Sequence, residues 1–172
     1  MGLLDEAGLE RLVGTGCTCG STHLQFGSYL DGLLPIMAGE PVGKITWVYD
    51  GEKFIDGVFE VGCVACKKTL FAADVCPRCH ADGGLARALE TANRWPVPTE
   101  CPGCAGEELR YIAMLPAHVT YEGARASKPR TSTELLDDGF HGYRVDCKEC
   151  RTVAVRDTCP LCDAPPPLRV RP

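Results

Sequence analysis

The stretch VGCVACKKTLFAADVCPRC, residues 61–79, holds two Cys-x2-Cys turns, Cys63/Cys66 and Cys76/Cys79, separated by nine residues. Such a turn points two sulfurs at one centre, and two turns complete a tetrahedron of thiolates about 2.3 Å from an ion. The pattern recurs outward along the chain, as Cys17-x-Cys19 upstream and Cys101-x2-Cys104, Cys147-x2-Cys150 and Cys159-x2-Cys162 downstream. All twelve cysteines therefore fall into six close pairs, enough for about three four-thiolate sites. One Cys-x2-Cys is weak evidence for metal; five of them plus a Cys-x-Cys are strong evidence.

The pairs also repeat in register. Cys17 to Cys101, Cys63 to Cys147 and Cys66 to Cys150 are each 84 residues, and Cys76 to Cys159 is 83. Neighbouring residues agree: Leu24-Gln25-Phe26 corresponds to Leu109-Arg110-Tyr111, and Phe59-Glu60-Val61 to Tyr143-Arg144-Val145. The expectation is two copies of one unit, residues 1–86 and 87–172.

Helical spacing marks residues 3–13 (Leu3, Leu4, Ala7, Leu12, Val13) and 84–94 (Leu85, Ala88, Leu89, Ala92), each ahead of the first cysteine pair of its unit. Strands are expected from Leu24, across Ile45–Tyr49 and Lys53–Ile55 around the Asp50-Gly51 turn, and at Val58–Val61 and Tyr143–Val145. Tyr121 to Asp138 reads as a polar loop, and the tail from Pro165 as extended chain. The expected fold is small α+β, mostly β: tandem duplicated zinc-ribbon-like units, each a helix followed by a short antiparallel sheet with cysteine knuckles. With 19 Gly and 13 Pro, small lobes of this kind need staples beyond their apolar cores.

Cys63-Val-Ala-Cys66 with Cys76-Pro-Arg-Cys79, and Cys147-Lys-Glu-Cys150 with Cys159-Pro-Leu-Cys162, resemble zinc-ribbon or rubredoxin-like knuckle pairs. Cys101-Pro-Gly-Cys104 is similar to the first knuckle of a longer ribbon. The resemblance covers about a third of the chain and implies tetrahedral zinc between two such turns in a non-catalytic binding module, while the six-pair spacing makes all twelve cysteines candidate zinc ligands. A rubredoxin-like site would hold iron for electron transfer, and the spacing admits it. Cys17-Thr-Cys19 departs from the pattern by one residue.

Two pairings fit three sites. A local scheme joins Cys63/Cys66 to Cys76/Cys79 and Cys147/Cys150 to Cys159/Cys162, leaving Cys17/Cys19 to share a metal with Cys101/Cys104. A long-ribbon scheme joins Cys17/Cys19 to Cys63/Cys66 and Cys101/Cys104 to Cys147/Cys150, and the last pair of each unit shares the third metal. Closing a 9-residue loop rather than a 43-residue one is cheaper by about 1.4 kcal/mol, which favours the local scheme. In both, one metal clamps the halves, and its removal is expected to separate two folded lobes.

Other chemistries lack their residues. His23, His80, His118 and His141 are surplus once twelve cysteines divide into fours. Four-cysteine sites leave no open position for catalysis, and neither H-E-x-x-H nor G-x-S-x-G occurs, so no enzyme is expected. Gly39 to Lys44 is one residue short of a P-loop and reads as a turn before Ile45. No segment reaches the ~18 consecutive apolar residues of a membrane span, and the N-terminus lacks signal-peptide features, so a cytoplasmic protein with reduced thiols is expected.

Charge separates the candidate partners. Residues 1–86 carry 6 Lys/Arg against 11 Asp/Glu, and residues 87–172 carry 12 of each, for a net charge of −5. An acidic chain repels phosphate backbones, so the expected role is a non-enzymatic adaptor engaging another protein. The first half offers Asp50, Glu52, Asp56 and Glu60 with Trp47, Tyr49 and Phe54 as a contact patch, though Trp47 and Phe54 are expected under the metal site. The alternative is nucleic-acid binding through Arg125, Lys128 and Arg130, with Arg169 and Arg171. A disulfide-exchange role stands behind both.

Overall fold

Helix α1 (Glu6–Thr15) begins at Asp5, whose carboxylate accepts from the Gly8 N–H at 2.7 Å, and stops at Gly16, which takes φ +67°. That is a helix with both ends satisfied, burying Leu9 against the sheet. The computed structural model describes residues 3–47, 57–90, 98–123, 125–128 and 141–165. The second helix, α2, covers Gly84–Glu90.

The strands are β1 (His23–Met37), β2 (Glu40–Pro41), β3 (Thr46–Trp47), β4 (Val58–Cys63), β5 (Thr69–Ala72), β6 (Glu108–Glu122), β7 (Arg125–Ala126), β8 (His141–Cys147) and β9 (Val153–Val155). They form one curled antiparallel sheet in the order β5-β4-β1-β6-β8-β9, with β2 and β3 on β1 and β7 on β6. The β1–β2 turn, Ala38-Gly39, has φ of 50° and 84°, the two positive values of a type I′ hairpin. Of the Gly39–Lys44 segment, one residue short of a P-loop, Gly39 belongs to this turn, Glu40–Pro41 is β2 and Gly43 takes φ 87°.

Two 15-residue strands, β1 and β6, dominate the architecture. They pair along their full length, from His23 opposite Glu122 to Met37 opposite Glu108. In β1 the even-numbered residues Leu24, Phe26, Leu34 and Ile36 are buried, and in β6 the odd-numbered Leu109, Tyr111, Ala113, Leu115, Ala117 and Val119 are buried. That alternation fixes the register, since a one-residue slip would turn every core side chain to the outer face.

The expectation of tandem units, each a helix followed by its own short sheet, is overturned. The sheet is one continuous structure to which both halves contribute, and only two helices occur among the described residues. The physical reason lies in β1 and β6. Gly27, Gly32 and Pro35 in one, and Pro116 in the other, look like strand breaks in the sequence, yet both strands run through them. Gly27 leaves room for the Phe59 ring, since a Cβ there would meet Phe59 Cζ at 2.9 Å. Tyr121 belongs to β6 rather than to a loop, and Arg125–Ala126 folds back on it.

The shared sheet also overturns the picture of two lobes held by one metal, because fifteen residue pairs join the halves directly. Trp47 is half-buried against both apolar clusters. The proposed hairpin tip with Tyr49, Asp50, Glu52, Phe54 and Asp56 lies outside the described residues, as do Arg130, Arg169, Arg171 and the tail beyond 165. Among the described residues no helix is long and apolar enough to cross a membrane.

Candidate metal centres

Each cysteine pair is a backbone turn with the same two closures. In five of them the N–H four residues after the first cysteine donates to its carbonyl: Lys67 to Cys63, His80 to Cys76, Ala105 to Cys101, Arg151 to Cys147 and Asp163 to Cys159, at 2.8–3.1 Å. The first cysteine's own N–H donates to the carbonyl five residues on, as from Cys63 to Lys68 and from Cys147 to Thr152. The closing residue always takes positive φ, from 59° at Ala105 to 65° at His80.

Cys17-Thr-Cys19 makes the same turn with one residue fewer. Gly20 N–H donates to Cys17 at 2.8 Å, Cys17 N–H donates to Ser21 at 2.9 Å, and Gly20 supplies φ of 89°. The departure from the Cys-x2-Cys pattern therefore leaves the knuckle closed. In all six the residue after the second cysteine takes a left-handed conformation, which only Gly20 announces by residue type.

The knuckles meet in three groups of four: Cys17, Cys19, Cys63, Cys66; Cys101, Cys104, Cys147, Cys150; and Cys76, Cys79, Cys159, Cys162. Within each group the sulfurs all lie within 4.8 Å of one another. The nearest contacts are 3.5 and 3.6 Å in the first group, 3.6 Å twice in the second, and 3.3 and 3.8 Å in the third. A tetrahedron with 2.3 Å metal–sulfur bonds needs sulfurs about 3.8 Å apart, whereas a disulfide needs about 2.05 Å. All twelve cysteines are free thiols. The donor set and its spacing fit a tetrahedral, thiophilic metal ion.

This grouping is the long-ribbon one and corrects the local scheme. Sheet register explains why. Leu24 pairs with Cys63 and Leu109 with Cys147, so the knuckle just before β1 is carried to the end of β4, and the knuckle just before β6 to the end of β8. Val64 N–H to His23 and Lys148 N–H to Glu108 extend each ladder into its knuckle. The strand pairing closes the long loop, and the loop-entropy advantage of the local scheme no longer applies. The third group takes one knuckle from each half and sits in the main core with Tyr29, Leu30 and Met114. Gly84 opens α2 directly on it, where a Cβ would come within 2.5 Å of the Cys76 Cβ.

In the first two groups the leading cysteine of each knuckle is buried and the trailing one exposed. Backbone N–H groups aim at the sulfurs, with Gly103 donating to Cys101 at 3.3 Å and Gly106 to Cys104 at 3.4 Å. The Cys66 N–H brings Cys63 down to about 6, and the Thr152 hydroxyl, 3.0 Å away, brings Cys150 to about 6. The Cys76 thiol lowers Cys159 to about 4, and the same contact drives Cys76 strongly up. The Ser21 and Gly106 N–H groups favour thiolates at Cys19 and Cys104, but the neighbouring sulfurs outweigh them and push these two to about 11 and about 12. Each group thus shares its protons unevenly. Four thiolates this close repel one another unless a cation lies among them.

No histidine belongs to any of the groups. His141 instead donates from Nδ1 to the Pro160 carbonyl, 3.1 Å away, and packs edge-on against Tyr29. Arg125 and Lys128 are exposed at the β7 end of β6. A different set of cations, Arg110, Arg144, Lys148 and Arg151, gathers beside the second group. Arg144, Lys148 and Arg151 are close in sequence, but Arg110 lies 34 to 41 residues away, and only the β6–β8 register brings it to them.

Fold and sites together define a β-sheet protein with three four-cysteine groups able to hold metal ions. Compared with known proteins, the chain has no significant match among family models, curated proteins or solved structures.

Proposed function

We propose that this chain is a non-enzymatic zinc protein of two repeated units, residues 1–86 and 87–172, that works as an adaptor binding another protein. The observation carrying the proposal is the three groups of four sulfurs, each built from two closed knuckles with sulfur spacings near those of tetrahedral thiolate coordination. Cys17, Cys19, Cys63 and Cys66 would hold one ion, Cys101, Cys104, Cys147 and Cys150 a second, and Cys76, Cys79, Cys159 and Cys162 the third. Zinc bound there supplies cross-links and no open coordination position, hence no catalysis.

The knuckles contribute what such a role needs. They pin both ends of the β1–β6 ladder, which runs about 48 Å, and its centre, so that exposed strands and loops stay in place for a partner. Support for the repeat comes from the 84-residue offset and from the knuckle, 15-residue strand and second knuckle that follow one another in each half.

Native mass spectrometry of anaerobically purified full-length protein, with elemental analysis, tests the metal reading. Three zinc ions per chain are expected. Fewer than three, or the visible absorbance of ferric thiolate, would overturn it. Crosslinking in the native host tests the adaptor role: recovery of a defined protein partner is expected, and recovery of nucleic acid alone would reject it.

A further inference from the structure

Beside the second cysteine group, four cations face one shallow cleft on a chain of net charge −5: Arg110 from β6, Arg144 from β8, and Lys148 and Arg151 from the Cys147–Cys150 knuckle. Buried Asp146 organises them. It accepts from Arg144 Nε at 2.7 Å and Nη2 at 3.2 Å, and lies 3.7 Å from Arg110. Lys148 pairs with Glu108 at 2.5 Å. Asp146 and Glu108 therefore leave two cations in excess, and the side chains of Arg110, Arg144 and Lys148 stay 41–47% exposed. In the first half Gln25 and Glu60 stand at the places of Arg110 and Arg144, each the same distance from its knuckle.

The cleft is bordered by β9, the last strand of the sheet, whose one neighbour among the described residues is β8. The Cys147 N–H bond to Thr152 and the Arg156 N–H bond to Tyr143 set which residues face β8. By the two-residue alternation of a ladder, Ala154 also faces inward, and Val153 and Val155 turn their amides outward. Their side chains are 46% and 60% exposed, on the sheet face shared with Asp146 and Arg144, which they oppose in register. Natural sheet edges are guarded by shortness, charge, proline or a bulge. Val153–Val155, three residues long, carries no charge, proline or bulge.

Resting on the adaptor reading above, we propose that β9 is the docking edge for an extended, acidic segment of a partner protein, which adds to the sheet as a further strand. Its backbone would pair with Val153 and Val155, its apolar side chains would cover those valines, and its carboxylates would reach the cations. An added strand lies about 9.6 Å from β8, within range of the Arg144 guanidinium and a facing glutamate. Nucleic acid fits the cleft less well. Asp146 and Glu108 lie within or beside it, and among the described residues no aromatic side chain lines it to stack a base.

The probe is a fluorescein-labelled decapeptide alternating valine and glutamate, titrated against the zinc-loaded full chain. Companion probes replace glutamate with lysine, or valine with proline, and a 12-nucleotide oligouridine serves as competitor. Saturable binding of the acidic peptide alone is expected, weakened at least about tenfold by Lys148→Glu with Arg151→Glu. Val155→Pro should abolish it, because that amide faces away from β8 and proline there leaves the native ladder intact. Amide exchange at Val153 and Val155 should slow on binding.

Equal binding of the lysine or proline peptide overturns the proposal. So does displacement by oligouridine, unchanged binding by Val155→Pro, or no binding at about 1 mM peptide. The metal count of the same sample separates the two ideas. Three ions without peptide binding reject the docking edge alone, whereas missing ions reject the zinc reading beneath it.

Discussion

Leu30 of β1 and Leu115 of β6 are direct partners, and each is the eighth residue of its 15-residue strand. The ladder is therefore symmetric about this pair, with the first residue of each strand opposite the last of the other. A pairing in which residue i meets j and the counterpart of j meets the counterpart of i is the signature of a two-fold interface. Here that relationship lies within one chain and at the middle of its core.

Because this ladder joins the halves, they should unfold together. Leu115→Ala removes a buried side chain at its centre and is expected to cost about 2–5 kcal/mol. Urea unfolding followed by circular dichroism should show one transition shifted to lower midpoint. Two separated transitions would mean that the halves are independent.

The cysteine groups predict which double variants lose one ion and which lose two. Cys17→Ser with Cys63→Ser strikes a single group, so native mass spectrometry should count two remaining ions. Cys63→Ser with Cys76→Ser strikes two groups and should leave one. The local pairing scheme predicts the reverse.

Tyr111 lies directly over Gly142, where an added Cβ would collide with the phenolic oxygen. Gly142→Ala must push the ring from its site and is expected to destabilise by about 1–3 kcal/mol. Thermal melts check this, and pairing the change with Tyr111→Leu should recover part of the loss.

Burial pushes both Tyr29 and Tyr111 up to about 12. In the unfolded chain they ionise near the ordinary 10, so the folded state holds them neutral while the unfolded state gains charge. Stability is unaffected by these groups below pH 10 and falls as pH rises from 10 towards 12. Phenolate absorbance should lag behind that of free tyrosine and then rise together with loss of circular dichroism.

Ala105 closes its knuckle at φ 59°, a conformation that costs a residue with a Cβ about 1 kcal/mol. Ala105→Gly should therefore stabilise by up to about 1 kcal/mol, less the backbone entropy glycine adds to the unfolded state. A rise in thermal midpoint with the metal count unchanged checks it.

Much of this protein's chemistry is local and can be read directly. Six cysteine turns declare themselves because a knuckle is made of five or six consecutive residues, and α1 because Asp5 and Gly16 cap it within its own segment. The closing residues Lys67, His80, Ala105, Arg151 and Asp163 follow from the same short-range geometry, although only Gly20 shows it by residue type. Strand length was less legible. Gly27, Gly32, Pro35 and Pro116 interrupt the pattern, and it is cross-strand neighbours such as Phe59 that make those positions habitable.

The twelve cysteines thus specified by themselves that there are four-sulfur groups, and their number. Which knuckles meet was decided by tertiary structure. A chain-entropy argument weighs only the loop to be closed, whereas here β1 pairs with β4 and β6 with β8, and those ladders bring distant knuckles together. The same holds for the Arg110, Arg144, Lys148 and Arg151 patch, and for the Leu30–Leu115 centre that makes two halves one sheet. Register is a relation between strands, and no single stretch of sequence contains it.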